Sequence, residues 1–155
     1  MKLIAPALAA AMLTFAATPA FAYSWLYLDE EKLLMGSTGE EEGDTDFRAT
    51  CKGNGKAEIG IGAQPGIGKG EGEAVSATLI GGGKMLSIAG KSGKSPNFEM
   101  TGGVELQTEV DSKHEIFALL LGKGPIKVTA PIKVTWAADG RAAATKEFQK
   151  ACFGG

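Results

Sequence analysis

The sequence contains one histidine, His114, and this limits the acid–base chemistry available to the chain. A hydrolase that pairs a serine or cysteine nucleophile with an imidazole would have to use His114, and the Gly-x-Ser-x-Gly turn that carries many such nucleophiles does not occur in the sequence. His114 opens a predicted strand beside Glu115, which is an ordinary place for an exposed histidine. A pair of carboxylates could hydrolyse a glycosidic bond, because their separation is set in three dimensions. We therefore expect a non-catalytic protein and keep a hydrolase as the alternative.

Residues 60–72 are rich in glycine and invite comparison with a phosphate-binding loop. Five residues separate Gly62 from Gly68, where that loop has four, and Gly70 stands where a serine or threonine would bind magnesium. The two Gly-Lys-Ser triplets of residues 90–95 lack the upstream glycine that the motif requires. Both stretches are expected to be loops or hairpin tips, and no cofactor is expected.

Acidic residues are densest in residues 40–46, whose sequence is Glu-Glu-Glu-Gly-Asp-Thr-Asp. The twelve-residue calcium loop with its final glutamate is missing there, so we expect a solvated connector. The two cysteines and the single histidine match no zinc spacing. No metal site is predicted.

Three lysines and two aromatic residues are the candidates for binding a partner. Lys84, Lys91 and Lys94 could form a small basic patch that meets an acidic partner, or they could belong to a solvated loop. Trp25 and Tyr27 could be an exposed anchor, since aromatic residues are enriched at interface hot spots. Packing of these two aromatic residues in a first strand is the simpler interpretation.

Residues 1–22 have the three parts of a secretion signal. Lys2 supplies the positive charge, an apolar stretch follows, and Ala20-Phe21-Ala22 is a small-x-small cleavage site. The apolar stretch is shorter than the ~20 residues of a bilayer span, and the longest later apolar run, residues 116–121, is strand-sized. We expect cleavage after Ala22, no membrane span and a periplasmic or secreted protein. No lipid anchor is expected, because no cysteine follows the cleavage site.

Cleavage would leave one domain, residues 23–155, which is long enough for a single hydrophobic core. This part of the chain has 15 basic and 18 acidic side chains, and its formal net charge is about −3. Such a surface lacks the basic excess of a nucleic-acid-binding protein, so nucleic acid is not an expected partner.

Only two cysteines, Cys51 and Cys152, are present. In an oxidising compartment they are expected to pair. The disulfide would close a loop of about a hundred residues and stabilise the fold by at most ~4–5 kcal/mol.

Short alternating segments separated by glycine-rich breaks are typical of an all-β sandwich or small barrel, here of about eight short strands. The candidate strands share a half-buried pattern or an apolar run, and they cover residues 47–52, 57–61, 74–80, 85–89, 98–101, 104–110, 116–121, 126–128 and 132–134. From about residue 141 the apolar residues follow the helical period and no longer alternate. One face of the short C-terminal helix predicted there carries Ala144, Phe148, Ala151 and Cys152, and Asp139 could cap it. Cys152 would then tie this helix to the strand that carries Cys51.

A cysteine in an early strand bridged to one near the C-terminus is similar to the arrangement in small periplasmic lysozyme inhibitors. The similarity covers the cysteine placement and the β-rich length. Residues 92–95 lack the tyrosine of the Ser-Gly-x-x-Tyr stretch of that family, so no site residue is carried over. The expected function is a protein-binding or inhibitor-like module with another envelope protein as its partner. The alternative is an accessory or structural protein of the envelope.

The pairing of Cys51 with Cys152 can be tested by mass. The intact mature protein should gain ~2 Da on reduction, because two hydrogens are added to one disulfide. Labelling of free thiols in the native, unreduced protein would contradict the pairing.

Overall fold

The computed structural model describes residues 24–37, 45–62, 67–130 and 132–154. Nine strands occur among these residues: β1 Ser24–Leu28, β2 Leu33–Ser37, β3 Phe47–Gly53, β4 Lys56–Ile61, β5 Glu71–Gly81, β6 Lys84–Lys94, β7 Val104–Asp111, β8 Ile126–Ala130 and β9 Val134–Trp136. They form a single antiparallel sheet in the order β1-β2-β3-β4-β7-β6-β5-β8-β9. The all-β prediction is confirmed, with one sheet in place of the two sheets of a sandwich.

Three helices accompany the sheet in the described residues: α1 Phe98–Thr101, α2 Glu115–Leu121 and α3 Arg141–Gln149. α3 continues as a π-helical turn, Lys150–Gly154, so the predicted C-terminal helix is confirmed. No helix in the described part of the chain is long and apolar enough to cross a bilayer. The predicted secretion signal, residues 1–22, lies outside the described residues, as do residues 40–44 of the acidic run.

The alternating pattern places one side chain in two on a buried inner face of the sheet. Phe47 and Ala49 of β3 pair with Ile61 and Ile59 of β4, and all four side chains are fully buried. The sheet curls, so that its two end strands approach each other. The evidence is the edge-on contact between Trp25 of β1 and the Trp136 ring of β9, with 5.9 Å between ring centroids.

Helices α2 and α3 pack together through aromatic rings. Phe148 of α3 lies 6.1 Å from Phe117 of α2, and Phe153 packs edge-on against both rings. Phe148 also contacts Tyr27 of β1 edge-on. The aromatic cluster therefore joins the helices to the inner face of the sheet.

The predicted pairing of Cys51 with Cys152 is confirmed: the Sγ atoms are 2.30 Å apart and the Cα atoms 5.4 Å apart. The disulfide joins β3 to the π-helical turn. The predicted buried face is only partly correct. Ala144 and Phe148 are buried, whereas Ala151 and Cys152 are half-buried near the chain end.

Two predicted strands are wrong. Residues 116–121 form helix α2, because Leu and Ala are strong helix formers, and the helix buries one face that consists of Ile116, Phe117, Leu119 and Leu120. Residues 98–101 form the single turn α1, which ends where the N–H of Gly102, at φ 69°, donates to the Phe98 carbonyl.

The predicted cap of the C-terminal helix is also wrong. Gly140, at φ 70°, holds the N-cap position of α3, and no side chain caps the helix there. A left-handed residue at this position suits glycine, and Asp139 lies one residue earlier. The strand predicted over 132–134 begins only at Val134, since Ile132 packs beside Gly62 at the edge of the core.

Asp46, immediately before β3, is a buried carboxylate with 5 % of its surface exposed. Its Oδ2 has no hydrogen-bond partner in the part of the chain that the structure describes. Burial raises the pKa of Asp46 to about 6, because removal from water penalises the charged form. An acid with a raised pKa in the folded state favours folding at low pH and disfavours it once it ionises.

We expect Asp46→Asn to stabilise the protein at pH 7. Ionisation of Asp46 should lower the free energy of unfolding of the native protein as the pH rises from about 4 to about 6, and this loss should stay constant above that range. At neutral pH the variant should therefore be more stable by on the order of 1–2 kcal/mol, a figure that allows for partial solvation of the carboxylate. Urea unfolding of both proteins between pH 4 and pH 7 measures the difference. Equal pH dependence in the two proteins would contradict the assignment.

Candidate functional site

The β5–β6 hairpin projects as one wall of a surface groove. Its turn consists of Gly82 and Gly83, with φ of 57° and 75°, and Gly81 pairs with Lys84 at the base of the turn. Two consecutive left-handed residues define a type I′ turn, which suits a two-residue hairpin and which glycine adopts without a steric cost. The Gly-Gly-Gly-Lys sequence therefore fixes where the hairpin ends.

Helix α2 forms the opposite wall. His114 caps it: the imidazole Nδ1 accepts a hydrogen bond from the Ile116 backbone N–H at 3.2 Å. His114 is thus a helix cap and not the start of a strand. The buried side of α2 faces the aromatic cluster, and Glu115 and Ala118 are exposed on its other side.

The groove between these walls has a volume of about 850 Å³, within the range of ~300–1,000 Å³ that is common for ligand sites. Its lining combines apolar side chains, small residues and three charges. The apolar part includes Leu86, Leu119 and Ile126, the small residues include Gly81, Ala118 and Gly122, and the charged residues are Lys84, Lys123 and Glu115. The combination suits a segment with aliphatic side chains and negative charge.

Gly81 sets how closely the hairpin approaches α2. A Cβ atom at this position would lie 2.9 Å from Ile126 Cγ1 and 3.2 Å from Leu119 Cδ1. A side chain at Gly81 would therefore displace the floor of the groove.

Arg141, at the start of α3, positions the far end of α2. Its side chain is buried, and its guanidinium donates to the carbonyls of Leu120, Gly122 and Gly124 at 2.8–2.9 Å. The C-terminal carbonyls of a helix need donors from outside the helix, and Arg141 supplies them. Gly122 and Gly124 lie on either side of Lys123, so the Arg141 side chain also holds the loop that brings this lysine to the groove.

The structure separates the three lysines that the sequence nominates. Lys84 lines the groove, whereas Lys91 pairs with Gln107 of β7 and Lys94 lies at the end of β6, with its Nζ 4.3 Å from the centroid of Phe98. Ten residues of extended strand span about 33 Å, so Lys84 and Lys94 do not share one compact patch.

The two nominated aromatic residues lie against the core. Trp25 is 8 % exposed, and its Nε1 donates to the Ala137 carbonyl at 2.8 Å. Tyr27 is half-buried, and its hydroxyl donates to Asp29. Burial, together with the nearby negative charge of Asp29, raises the pKa of Tyr27. Their positions agree with the core interpretation.

A charged cluster on the outer face of the sheet is absent from the sequence predictions. Arg48 reaches across Gly60 to Glu105, where Nε and Oε1 are 2.9 Å apart, and its Nη2 lies 2.7 Å from Glu58. Burial lowers the pKa of Arg48, but hydrogen bonds and the charges of both glutamates outweigh that effect and raise it. Gln107 completes the cluster by donating to Glu105. Lys52 Nζ lies 3.4 Å from Glu58, so two basic and two acidic side chains balance each other, which gives the cluster a structural role.

Ser92 and Glu73 form a second polar pair, at the start of β5. The Ser92 hydroxyl donates to Glu73, whose carboxylate also accepts from the backbone N–H groups of Lys69 and Glu71. The hydrogen bond from Ser92 and those from the backbone lower the pKa of Glu73 to about 2. The Ser92 hydroxyl therefore serves to hold a carboxylate.

Comparison of the chain with protein-family models, with curated proteins and with solved structures gives no match. No cluster of three or more histidine, cysteine, aspartate or glutamate residues with metal-binding geometry occurs among the described residues. The fold and the site thus define a curled β protein with a groove between a hairpin and a helix, and its function must be argued from these residues.

Arg141→Met should destabilise the protein by about 2–4 kcal/mol, because the apolar stem remains while buried carbonyls lose their donors. Lys146→Met, at an exposed position of the same helix, is the matched control and should change stability by less than about 0.5 kcal/mol. Thermal and urea unfolding measure both. Equal stability of the two variants would contradict the role given to Arg141.

Proposed function

We propose that the protein is an exported, non-catalytic, protein-binding module of the inhibitor-like kind, which engages another envelope protein through the groove between the β5–β6 hairpin and α2. The observation that carries this proposal is the groove itself, with its apolar floor and its two lysines. Export rests on the predicted secretion signal and agrees with the paired cysteines, since disulfides persist in oxidising compartments.

Three polar groups of the kinds used in catalysis are engaged in other contacts. The Nδ1 lone pair of His114 accepts the hydrogen bond that caps α2, and the Ser92 hydroxyl donates to Glu73. Arg48 is committed to Glu105 and Glu58. These contacts favour a binding role, because a general base or a nucleophile needs a free atom directed at the substrate.

The distribution of exposed apolar residues favours a binding module over a structural component of the envelope. Leu26, Ile80, Met85 and Met100 are the large apolar side chains with most exposure in the described residues, and they belong to β1, β5, β6 and α1. Only Ile80 and Met85 are direct neighbours across a strand pair, and Met85 also lines the groove. A large apolar assembly surface would show a broader continuous patch.

Filling the groove should abolish partner binding. Ala118 is exposed on the groove side of α2, so Ala118→Trp should occupy the space without disturbing the core. Ala143→Trp, at an exposed position of α3, is the matched control. The immobilised mature protein should retain a specific envelope protein, identified by mass spectrometry, and the Ala118→Trp variant should retain at least tenfold less of it than the control does.

Two results would count against the proposal. Equal retention by Ala118→Trp and Ala143→Trp would show that the groove is not the binding surface. Hydrolytic turnover that is lost in His114→Ala would show that the protein is an enzyme.

A further inference from the structure

Among the strands that the structure describes, β6 has a partner along its whole length on one side only. Its pairing with β5 extends from the base of the hairpin, where Gly81 meets Lys84, to Gly93. Its pairing with β7 covers only Lys91–Lys94. From Lys91 back toward the hairpin turn, β6 and β7 are no longer paired. Among the described strands, residues 108–111 of β7 pair with β4 alone. Within the described part of the chain, residues 84–90 therefore have an unpaired edge on the side away from β5, and we refer to these residues as the free edge.

The alternation of an antiparallel ladder identifies the backbone groups that this edge exposes. In a two-residue hairpin the closing pair, Gly81 and Lys84, exchanges hydrogen bonds, and every second residue of β6 then bonds to β5. The N–H and C=O groups of Met85, Ser87 and Ala89 consequently point away from β5. No backbone hydrogen bond joins them to another described residue outside the β5–β6 pair. The side chains of these three residues are exposed as well.

The free edge and the groove coincide at Lys84, Met85 and Leu86, which belong to both. An extended chain laid along this edge would satisfy the unpaired backbone groups, and every second side chain could turn toward the apolar floor. The small residues Ala118 and Gly122 on the α2 side leave room for a backbone. Hydrogen bonding and burial are thus available to one and the same occupant.

We propose that the groove binds an extended, acidic segment of a partner protein by addition of a β-strand to the free edge of β6. The inference rests on the proposed binding function and names the partner's conformation and charge. Met85, Ser87 and Ala89 supply the backbone hydrogen bonds, and Leu86 and Leu119 supply apolar contact.

The charges at the site determine the sign of the partner. Lys84 is the first residue of the free edge, Lys91 directly follows its last residue, and Lys123 lies across the groove from the hairpin. Glu115 is the single acidic residue of the groove lining. Acidic residues near the ends of the added strand would complement the lysines. A second copy of β6 would bring lysines together, which is how exposed strand edges avoid pairing with themselves.

A pool of short peptides tests the proposal without knowledge of the partner. Each peptide carries glutamate at both ends and a centre varied over Val, Ile, Leu and Thr, with blocked termini. The ¹⁵N-labelled mature protein should show slower amide hydrogen exchange at Met85, Ser87 and Ala89, by at least tenfold, when the acidic pool is added. A pool with lysine in place of glutamate should give less than a third of that protection.

Two variants of one residue separate strand addition from other modes of binding. Ser87→Pro removes the N–H that points away from β5, and proline is tolerated at a strand edge, so the β5 pairing should persist while the peptide-induced protection at Met85 and Ala89 is lost. Ser87→Val keeps the N–H and should retain the protection. Circular dichroism checks that both variants keep the β fold.

Failure of strand addition can be distinguished from failure of the proposed function. If the acidic pool shifts the Ala118 and Lys123 resonances but leaves the edge amides unprotected, the groove binds and strand addition is wrong. Equal protection by the lysine pool would overturn the acidic assignment. If neither pool changes any of these signals, strand addition is again overturned, and the comparison of Ala118→Trp with Ala143→Trp then decides the binding function on its own.

Discussion

The position of helix α2 relative to α3 depends on the hydrogen bonds that the guanidinium of Arg141 donates. Helix α2 has only seven residues, and a helix of that length is not stable on its own. It persists because its inner face packs on the aromatic cluster, His114 caps its beginning and Arg141 binds carbonyls at its end. Arg141 is the first residue of α3, so the position of α2 is fixed by α3. Everything that orients α3 therefore also orients one wall of the groove.

The disulfide is one part of that orientation. Cys152 lies in the π-helical turn that continues α3 and is bonded to Cys51 on β3, while the next residue, Phe153, packs on Phe117 of α2. The residue that is covalently linked to the sheet is thus the direct neighbour of Phe153, whose ring supports the groove wall. A site held by covalent and buried contacts loses little conformational freedom on binding, which favours recognition of an extended and initially flexible partner segment.

The alternating strands were predictable because burial on one face imposes a period of two, as in Phe47, Ala49 and Cys51. Helix α2 was not, because residues 116–121 are apolar on every face and periodicity alone cannot separate a buried strand from a short helix. The Ser-x-x-Glu spacing of Ser112 and Glu115, which resembles a capping box, was the available signal for a helix start. The Asp139 cap failed for a tertiary reason, since the chain enters α3 through a left-handed glycine.

The candidate site could be predicted only in fragments. Charge and spacing identify Lys84, but nothing local relates it to Lys123, which reaches the groove only because Arg141 binds the carbonyls on either side of it. Similarly, glycine in general weakens the interior of a strand, yet Gly60 makes the space through which Arg48 reaches Glu105. The free edge of β6 has the same origin: β7 follows β4 and leaves β6 at Lys91, and that divergence depends on how the whole sheet curls. Residue types therefore identify candidate groups. The groove itself exists because β6 and β7 diverge and because α2, which Arg141 of α3 holds in place, faces the β5–β6 hairpin.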